Sequence, residues 1–173
     1  MGLIEQKIQV ELNQIGQTTV DALVRSLVDS GDNATGNLKQ SIDYKAIAKM
    51  PGDDISKLSM EFAILMDPYW YQVNNGRKAG KMPPVNAIME WVKRKETFKI
   101  KKESLDKQGR PRYKSIAFAI AMKIKKKGTK GSKFVDKVIT DKWYNMINVR
   151  VEELIGEAVE FKVSSVFQKL EKK

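Results

Sequence analysis

The sequence predicts an α+β fold, with an N-terminal helix, a small antiparallel β-sheet, several packing helices and a long C-terminal helix. Three observations indicate this class: a helical apolar period before residue 30, strand-like alternation between residues 40 and 66, and a renewed helical period after residue 113. A length of 173 residues, 42% of them hydrophobic, supports one sizeable core rather than two. We therefore expect a single domain over residues 1–173.

The first element is predicted to be an amphipathic helix over residues 3–29. Its apolar residues recur at steps of three, four or eight, and they are Ile4, Ile8, Leu12, Ile15, Leu23 and Leu27. The pattern stops at Ser30-Gly31, where a glycine can close the last helical turn.

An antiparallel hairpin is predicted at about residues 40–66. Apolar side chains alternate with polar ones first at Ile42, Tyr44, Ala46 and Ala48, and then at Leu58, Met60, Phe62, Ile64 and Met66. The turn-forming stretch 50–54 connects the two strands. Because two strands alone make a marginal sheet, either a further strand within residues 97–101 or a neighbouring subunit would complete it.

Two short helices are predicted next. Asp67 would cap the first, with Pro68 at its first position and Asn75-Gly76 at its end. Pro83-Pro84 opens the second, in which Val85, Ile88, Trp91 and Val92 share a face.

A basic arm is predicted between Lys93 and Lys114. It holds ten lysines or arginines against three acidic residues, with few apolar residues and a breaker at Gly109-Arg110-Pro111. The excess of seven positive charges favours sequence-independent contact with phosphate, and simple solvation of the arm is an equal alternative.

The helical period returns from Tyr113 and ends at three lysines followed by Gly128, which suits the negative end of a helix. Residues 129–133 are predicted to be a short loop. From Phe134 to Leu170 the apolar pattern predicts one long helix, or two that are joined near Lys142.

Composition excludes several kinds of chemistry. The chain has no cysteine and no histidine, which removes disulfides, thiolate and imidazole metal ligands, and nucleophilic triads that depend on either residue. A net charge of +11 indicates a polyanionic partner such as nucleic acid, an acidic protein surface or an anionic membrane. No signal peptide or membrane span is visible, so synthesis in the host cytosol is expected. We predict no catalytic residue, metal, cofactor, small-molecule substrate or membrane contact.

Two motifs carry weaker alternatives. Asp43-x-Lys45 has the spacing of some metal-dependent nucleases, but a solvated strand face explains it more simply, and Asp29 and Asp32 are loose candidates for the second acid. The aromatic run after Pro68 could stack on single-stranded nucleic acid, although packing on helices or a neighbouring subunit is the simpler interpretation.

The middle of the chain resembles the tail-completion or neck proteins of tailed bacteriophages. The resemblance covers about residues 58–135. It is carried by the strand 58–66, Pro68-Tyr69-Trp70-Tyr71-Gln72-Val73-Asn74-Asn75-Gly76, the basic loop 77–84, Trp91-Val92-Lys93-Arg94-Lys95, Ala117-Phe118-Ala119-Ile120 and the segment 128–134. It implies a structural virion protein without catalysis, which forms an oligomeric ring between the portal or connector and the tail.

Within that resemblance we expect two sets of contacts and one competing function. The long C-terminal helix and residues 69–84 would contact subunits or the connector, with the side chains Tyr69, Trp70, Tyr71, Arg77, Lys78, Lys81, Pro83 and Pro84. The arm would face phage DNA or an adjacent ring through Lys93, Arg94, Lys95, Lys99, Lys101, Lys102, Arg110, Arg112 and Lys114. The competing function is sequence-independent nucleic-acid binding by the arm, without a ring.

Overall fold

The computed structural model describes residues 2–31, 36–94, 105 and 112–171, with the side chains of Asp53, Arg94 and residues 165–171 left out. Its helices are α1 (Leu3–Asp29), α2 (Asn37–Ser41), α3 (Trp70–Asn75), α4 (Val85–Arg94), α5 (Tyr113–Lys127) and α6 (Asp141–Glu171). Its strands are β1 (Asp43–Lys49), β2 (Ser59–Leu65), β3 (Gly76–Arg77) and β4 (Thr129–Lys130). This mixture confirms the predicted fold class.

The chain divides into two compact units. Unit 1 consists of residues 1–26, 42–66 and 135–173, and unit 2 consists of residues 27–41 and 67–134. The single domain expected from the length stays a prediction. Among the described helices, none has the length and apolar character that a membrane span requires.

The core of unit 1 lies between α1, α6 and the hairpin. The predicted apolar face of α1 is the buried one, since Ile8 and Leu12 are almost fully enclosed. They cluster with Ala48 and Met50 at the end of β1 and with Leu154 and Ala158 on α6. Burial of apolar area at about 25 cal/mol per Å² drives this assembly.

The hairpin pairs β1 with β2 in antiparallel register, with Asp43 opposite Leu65 and Lys49 opposite Ser59. The connection is longer than predicted, because residues 51–53 and 55–57 form two short 3-10 turns. Asp54 accepts hydrogen bonds from the backbone and hydroxyl of Ser56, and these bonds with that from Lys57 hold the pKa of its carboxyl below the usual range.

The outer edge of β1 is paired by a side chain of α1. The amide of Gln9 donates to the carbonyl of Ala46 at 2.8 Å and accepts from the backbone N–H of Ala48 at 2.8 Å. It reproduces the donor and acceptor that a third strand would offer at this point. The predicted strand at residues 97–101 lies outside the described residues.

The C-terminal helix is one element. Residues 134–138 form turns, and α6 then runs without interruption from Asp141 to Glu171. The prediction of one long helix is therefore confirmed, although the helix begins at Asp141 rather than at Phe134, and the alternative of two helices that meet near Lys142 is wrong. The indole N–H of Trp143 donates to the buried hydroxyl of Thr19 at 3.2 Å, and its ring lies 6.3 Å from that of Phe62.

Arg150 joins the two long helices of unit 1. Its guanidinium donates to Glu11 on α1 at 2.8 Å and to Glu153 one helical turn further along α6 at 2.7 Å. These hydrogen bonds raise the pKa of Arg150 further above its usual value. The pair links α1 to α6 beside the apolar core.

Unit 2 is built on the packing of α4 against α5. Val92 on α4 and Ala117 and Ala121 on α5 are buried, as is Phe134. The helix predicted to follow Pro83-Pro84 and the helix predicted over 113–127 are confirmed as α4 and α5. The predicted cap at Asp67 is wrong, because α3 begins at Trp70 with Tyr69 before it, and residues 68 and 69 form a turn.

Candidate functional site

Two segments that are far apart in the sequence are joined by backbone hydrogen bonds in unit 2. β3 pairs with β4, with Gly76 opposite Lys130 and Arg77 opposite Thr129. The N–H of Gly80 donates to the carbonyl of Lys125 at 2.8 Å. We call the segments 77–81 and 125–133 together the basic junction. The predicted loop at 129–133 is therefore partly a strand.

Further bonds anchor the basic junction to the end of α3. The N–H groups of Ser132 and Lys133 donate to the carbonyls of Val73 and Asn74, each at 2.9 Å. The side chain of Asn74 is buried beside these bonds. The ammonium of Lys133 donates to the side-chain oxygen of Asn75 at 2.8 Å. The junction is thus a defined structure rather than a free loop.

Glycines make the close approach of the two segments possible. Gly76 and Gly128 have φ angles of 77° and 70°, in the left-handed region that disfavours a side chain. A Cβ on Gly76 would overlap the carbonyl of Thr129, one on Gly128 would overlap that of Arg77, and one on Gly131 would overlap that of Asn74. Side chains at these positions would push the two segments apart.

The basic junction carries eight cations and no acidic residue. They are Arg77, Lys78, Lys81, Lys125, Lys126, Lys127, Lys130 and Lys133. All except Arg77 are exposed to solvent. Arg77 is half-buried, and its guanidinium donates to the carbonyl of Lys81 at 2.7 Å, which closes the loop on itself. Adjacent exposed ammonium groups of this kind form a surface that attracts phosphate irrespective of base sequence.

The charge of the chain is divided unequally between its two units. Unit 2 contains 20 basic and 7 acidic residues, a formal charge of +13, whereas unit 1 contains 12 basic and 14 acidic residues, a charge of −2. The described residues of unit 2 alone hold 14 basic and 3 acidic residues. The positive charge of unit 2 therefore does not depend on the predicted arm.

Most of the predicted arm lies outside the described residues, including Lys95, Lys99, Lys101, Lys102 and Arg110. The ammonium of Lys93 lies 2.8 Å from the carboxylate of Glu90, and Arg94 is the last residue of α4. Arg112 and Lys114 are exposed at the start of α5. The arm as a DNA contact stays a prediction.

The predicted subunit or connector contacts lie around α3 and the loop that follows it. Tyr69 and Tyr71 are exposed, while Trp70 is half-buried with its ring 5.9 Å from that of Tyr71. Lys78, Lys81 and Pro84 are exposed, whereas Pro83 is buried and so lies within unit 2. The structure brings Lys78 and Lys81 to the end of α5, which the sequence did not predict.

The nuclease-like motif on β1 is occupied by a cross-strand ion pair. The ammonium of Lys45 lies 2.7 Å from the carboxylate of Glu61 on β2. Of the candidate second acids, Asp29 belongs to unit 2, and Asp32 lies outside the described residues. Within the described parts of the chain, no group of three acidic residues is placed to hold a metal ion.

The long helices of unit 1 expose a large amount of apolar surface. Val10 on α1 and Tyr144, Met146 and Val149 on α6 are each more than half exposed. An apolar groove of about 830 Å³ runs between these helices. Large exposed apolar areas are typical of protein interfaces.

Comparison with known proteins identifies no relative: no family model, no curated protein and no solved structure matches this chain.

Sequence reasoning missed the basic junction because its two halves are about fifty residues apart. From the sequence, the lysines at 125–127 are explained by the stabilisation of a helix end, and that role accounts for their position in the last turn of α5. The paired glycines in or next to each half, Gly76 with Gly80 and Gly128 with Gly131, are the available signal.

Proposed function

We propose that this protein is a non-enzymatic structural component of a tailed bacteriophage virion. In this proposal several copies form a ring in the neck, between the portal or connector and the tail, around the channel through which DNA passes. The partners are copies of itself, the adjacent connector and tail proteins, and phage DNA. The protein is made in the host cytoplasm and incorporated into the particle.

The separation of charge between the two units is the observation that carries the proposal. A conduit protein needs a positive surface that tolerates any DNA sequence and an apolar surface that a neighbouring subunit covers. Unit 2 supplies the first with its charge of +13, and the exposed apolar residues of α6 in unit 1 supply the second.

The location of the resembling segments also supports the proposal. The segments 68–84 and 128–134 are two of the stretches that resemble neck proteins, and backbone hydrogen bonds join them in unit 2.

The first test is the mass of the purified protein and its presence in virus particles. We expect a closed oligomer at high protein concentration or in the presence of the connector, visible as rings by electron microscopy. We also expect several copies in each purified virion by quantitative mass spectrometry. Particles that contain none of the protein would contradict the proposal.

A second candidate function is sequence-independent nucleic-acid binding without a ring, and the charge of unit 2 favours this one as well. It predicts that a monomer of 19.7 kDa binds DNA tightly at low salt. Sedimentation of the protein with and without duplex DNA separates the two functions. DNA-bound monomers, together with virions that lack the protein, would favour the second.

A further inference from the structure

Unit 2 has an apolar groove of about 750 Å³ next to the basic junction. Aromatic and aliphatic side chains make up most of its lining, among them Tyr69, Val73, Ile88, Trp91, Ile120 and Ile124. The charged side chains of the lining are both cations, Lys123 and Lys130, and both are exposed. A helix with an apolar stripe and acidic neighbours would match this surface.

Such a stripe lies on α6 of unit 1. It consists of Val149, Glu152, Gly156, Val159 and Val163, at successive spacings of three and four residues that place them on one helical face. The three valines are about half exposed. Among the residues that the structure describes, nothing lies within 4 Å of the position that a Cβ on Gly156 would occupy, so the middle of the stripe is open.

The stripe is acidic as well as apolar. Glu152 lies within it and Glu160 beside it, and both are exposed. Neither has an ion-pair partner in the part of the chain that the structure describes. From Val149 to Val163 the stripe is about 21 Å long at 1.5 Å per residue.

Charge determines which surfaces can pair. Two α6 stripes would place Glu152 of one copy against acidic residues of the other, and two grooves would oppose lysines to lysines. A stripe against a groove instead opposes Glu152 and Glu160 to Lys123 and Lys130. Pairing of two different surfaces on identical chains is heterologous, and heterologous contacts close into rings when the rotation permits.

We propose that the Val149–Val163 stripe of one copy docks in the Trp91 groove of the next copy. This inference rests on the proposed ring and names the contact that forms it. Gly156 would allow the backbone of α6 to approach the groove closely, and the valines would cover Ile88, Trp91 and Ile120.

Cysteine cross-linking tests the contact, because the natural chain has no cysteine and each introduced one is unique. Val159→Cys marks the stripe and Ala87→Cys marks the exposed rim of the groove. The two variants are mixed at high concentration and treated with a short bismaleimide. We expect at least tenfold more cross-linked dimer from the mixture than from either variant alone. A mixture of Val10→Cys, on the exposed face of α1, with Ala87→Cys is the matched control.

A charge swap gives an independent measurement. Glu152→Lys with Glu160→Lys, or Lys123→Glu with Lys130→Glu, should each reduce the Val159–Ala87 cross-link about tenfold at low salt. Copies that carry all four changes should recover the cross-link. A reduction without recovery would show that these charges do not face each other, and would overturn the proposal.

Each of the remaining outcomes decides for or against the docking contact, the ring, or both. If rings form but the mixture cross-links no more than the Val10 control, the docking contact is wrong and the ring proposal stands. If a Val159–Val159 dimer dominates, α6 pairs with itself and the inference fails. If Ala87→Cys resists alkylation in dilute monomer, the groove is filled within the chain and the inference also fails. If neither rings nor cross-links form, both proposals fail.

Discussion

Gly76 is a residue whose conformation and surroundings both exclude a side chain. Its φ of 77° disfavours any residue with a Cβ, and a Cβ there would overlap the backbone of β4. The neighbouring chain cannot give way at low cost because that backbone is held by the pairing of β3 with β4. Gly31 offers a comparison, since it also has a positive φ, 72°, and among the described residues nothing lies within 4 Å of a Cβ built on it.

We therefore expect Gly76→Ala to lower the free energy of unfolding by more than about 3 kcal/mol, from backbone strain and steric overlap together. Gly31→Ala, with the strain alone, should cost only about 1 to 2 kcal/mol. Urea denaturation monitored by tryptophan fluorescence measures both values. Equal losses in the two variants would show that the junction is not closely packed at Gly76.

Gln9 is a second residue whose structural role could not be predicted from the kind of side chain it carries. Its amide satisfies the carbonyl of Ala46 and the N–H of Ala48 on the outer edge of β1. Gln9→Ala should lower the free energy of unfolding by about 1 to 3 kcal/mol, because both half-buried backbone groups lose their partner. Gln6→Ala, an exposed position on the same helix, is the control and should change stability by less than about 0.5 kcal/mol. Similar effects from the two substitutions would argue against edge pairing by Gln9.

At the scale of elements, Gly16 allows α1 to pack closely against the hairpin. This glycine is buried in the middle of α1, and a Cβ on it would overlap the ring of Tyr44 on β1. Glycine within a helix costs about 1 kcal/mol relative to alanine, so its presence here is explained by the space that the ring needs.

Whether Gly16→Ala lowers or raises the stability of the protein should depend on the residue at position 44. In the natural protein Gly16→Ala should destabilise unit 1, because the helix and the hairpin must separate to admit the methyl group. In a Tyr44→Ala background the same change should stabilise by about 1 kcal/mol through helix propensity. A double-mutant cycle by thermal denaturation measures this coupling. Additive effects would mean that the ring and the glycine are not in contact.

The elements that could be predicted from the sequence are those whose signal is local. The period of α1 extends over 27 residues and that of β2 over seven, and both were found with nearly correct ends. The pairing of β3 with β4 could not be found, because each strand has two residues and the bonds join positions about fifty apart. The start of α3 was misplaced since Asp67-Pro68 has the composition of a helix cap yet forms the turn before it.

The same distinction between local and long-range signals applies to the candidate site. The basic arm was visible as a run of charges, whereas the basic junction arises only when the loop after α3 meets the end of α5. The groove in unit 2 was equally hidden, because its lining comes from α3, α4, α5 and β4 together. Charge composition predicts that a polyanion binds, and the fold is needed to say where.

At the scale of the whole molecule, the unequal charge of the two units should direct DNA to unit 2. Lysines of unit 1 add the same charge to the chain but sit in a unit whose net charge is −2. Removing lysines from unit 2 should therefore weaken DNA binding more than removing the same number from unit 1. Counterions are released from the phosphates that the protein contacts directly, so only lysines at that contact contribute.

A matched pair of triple variants tests this directly. Lys125→Gln, Lys126→Gln and Lys127→Gln remove three exposed charges from the basic junction, and Lys49→Gln, Lys137→Gln and Lys142→Gln remove three exposed charges from unit 1. Fluorescence anisotropy with random-sequence duplex DNA gives the slope of log affinity against log salt. The junction variant should lower that slope by about 2 to 3, at about 0.9 per phosphate contact, and weaken binding to all sequences equally.

The unit 1 variant should change neither the slope nor the affinity appreciably. Equal losses in both variants would mean that DNA responds to net charge alone, and would remove the basic junction as the DNA-facing surface.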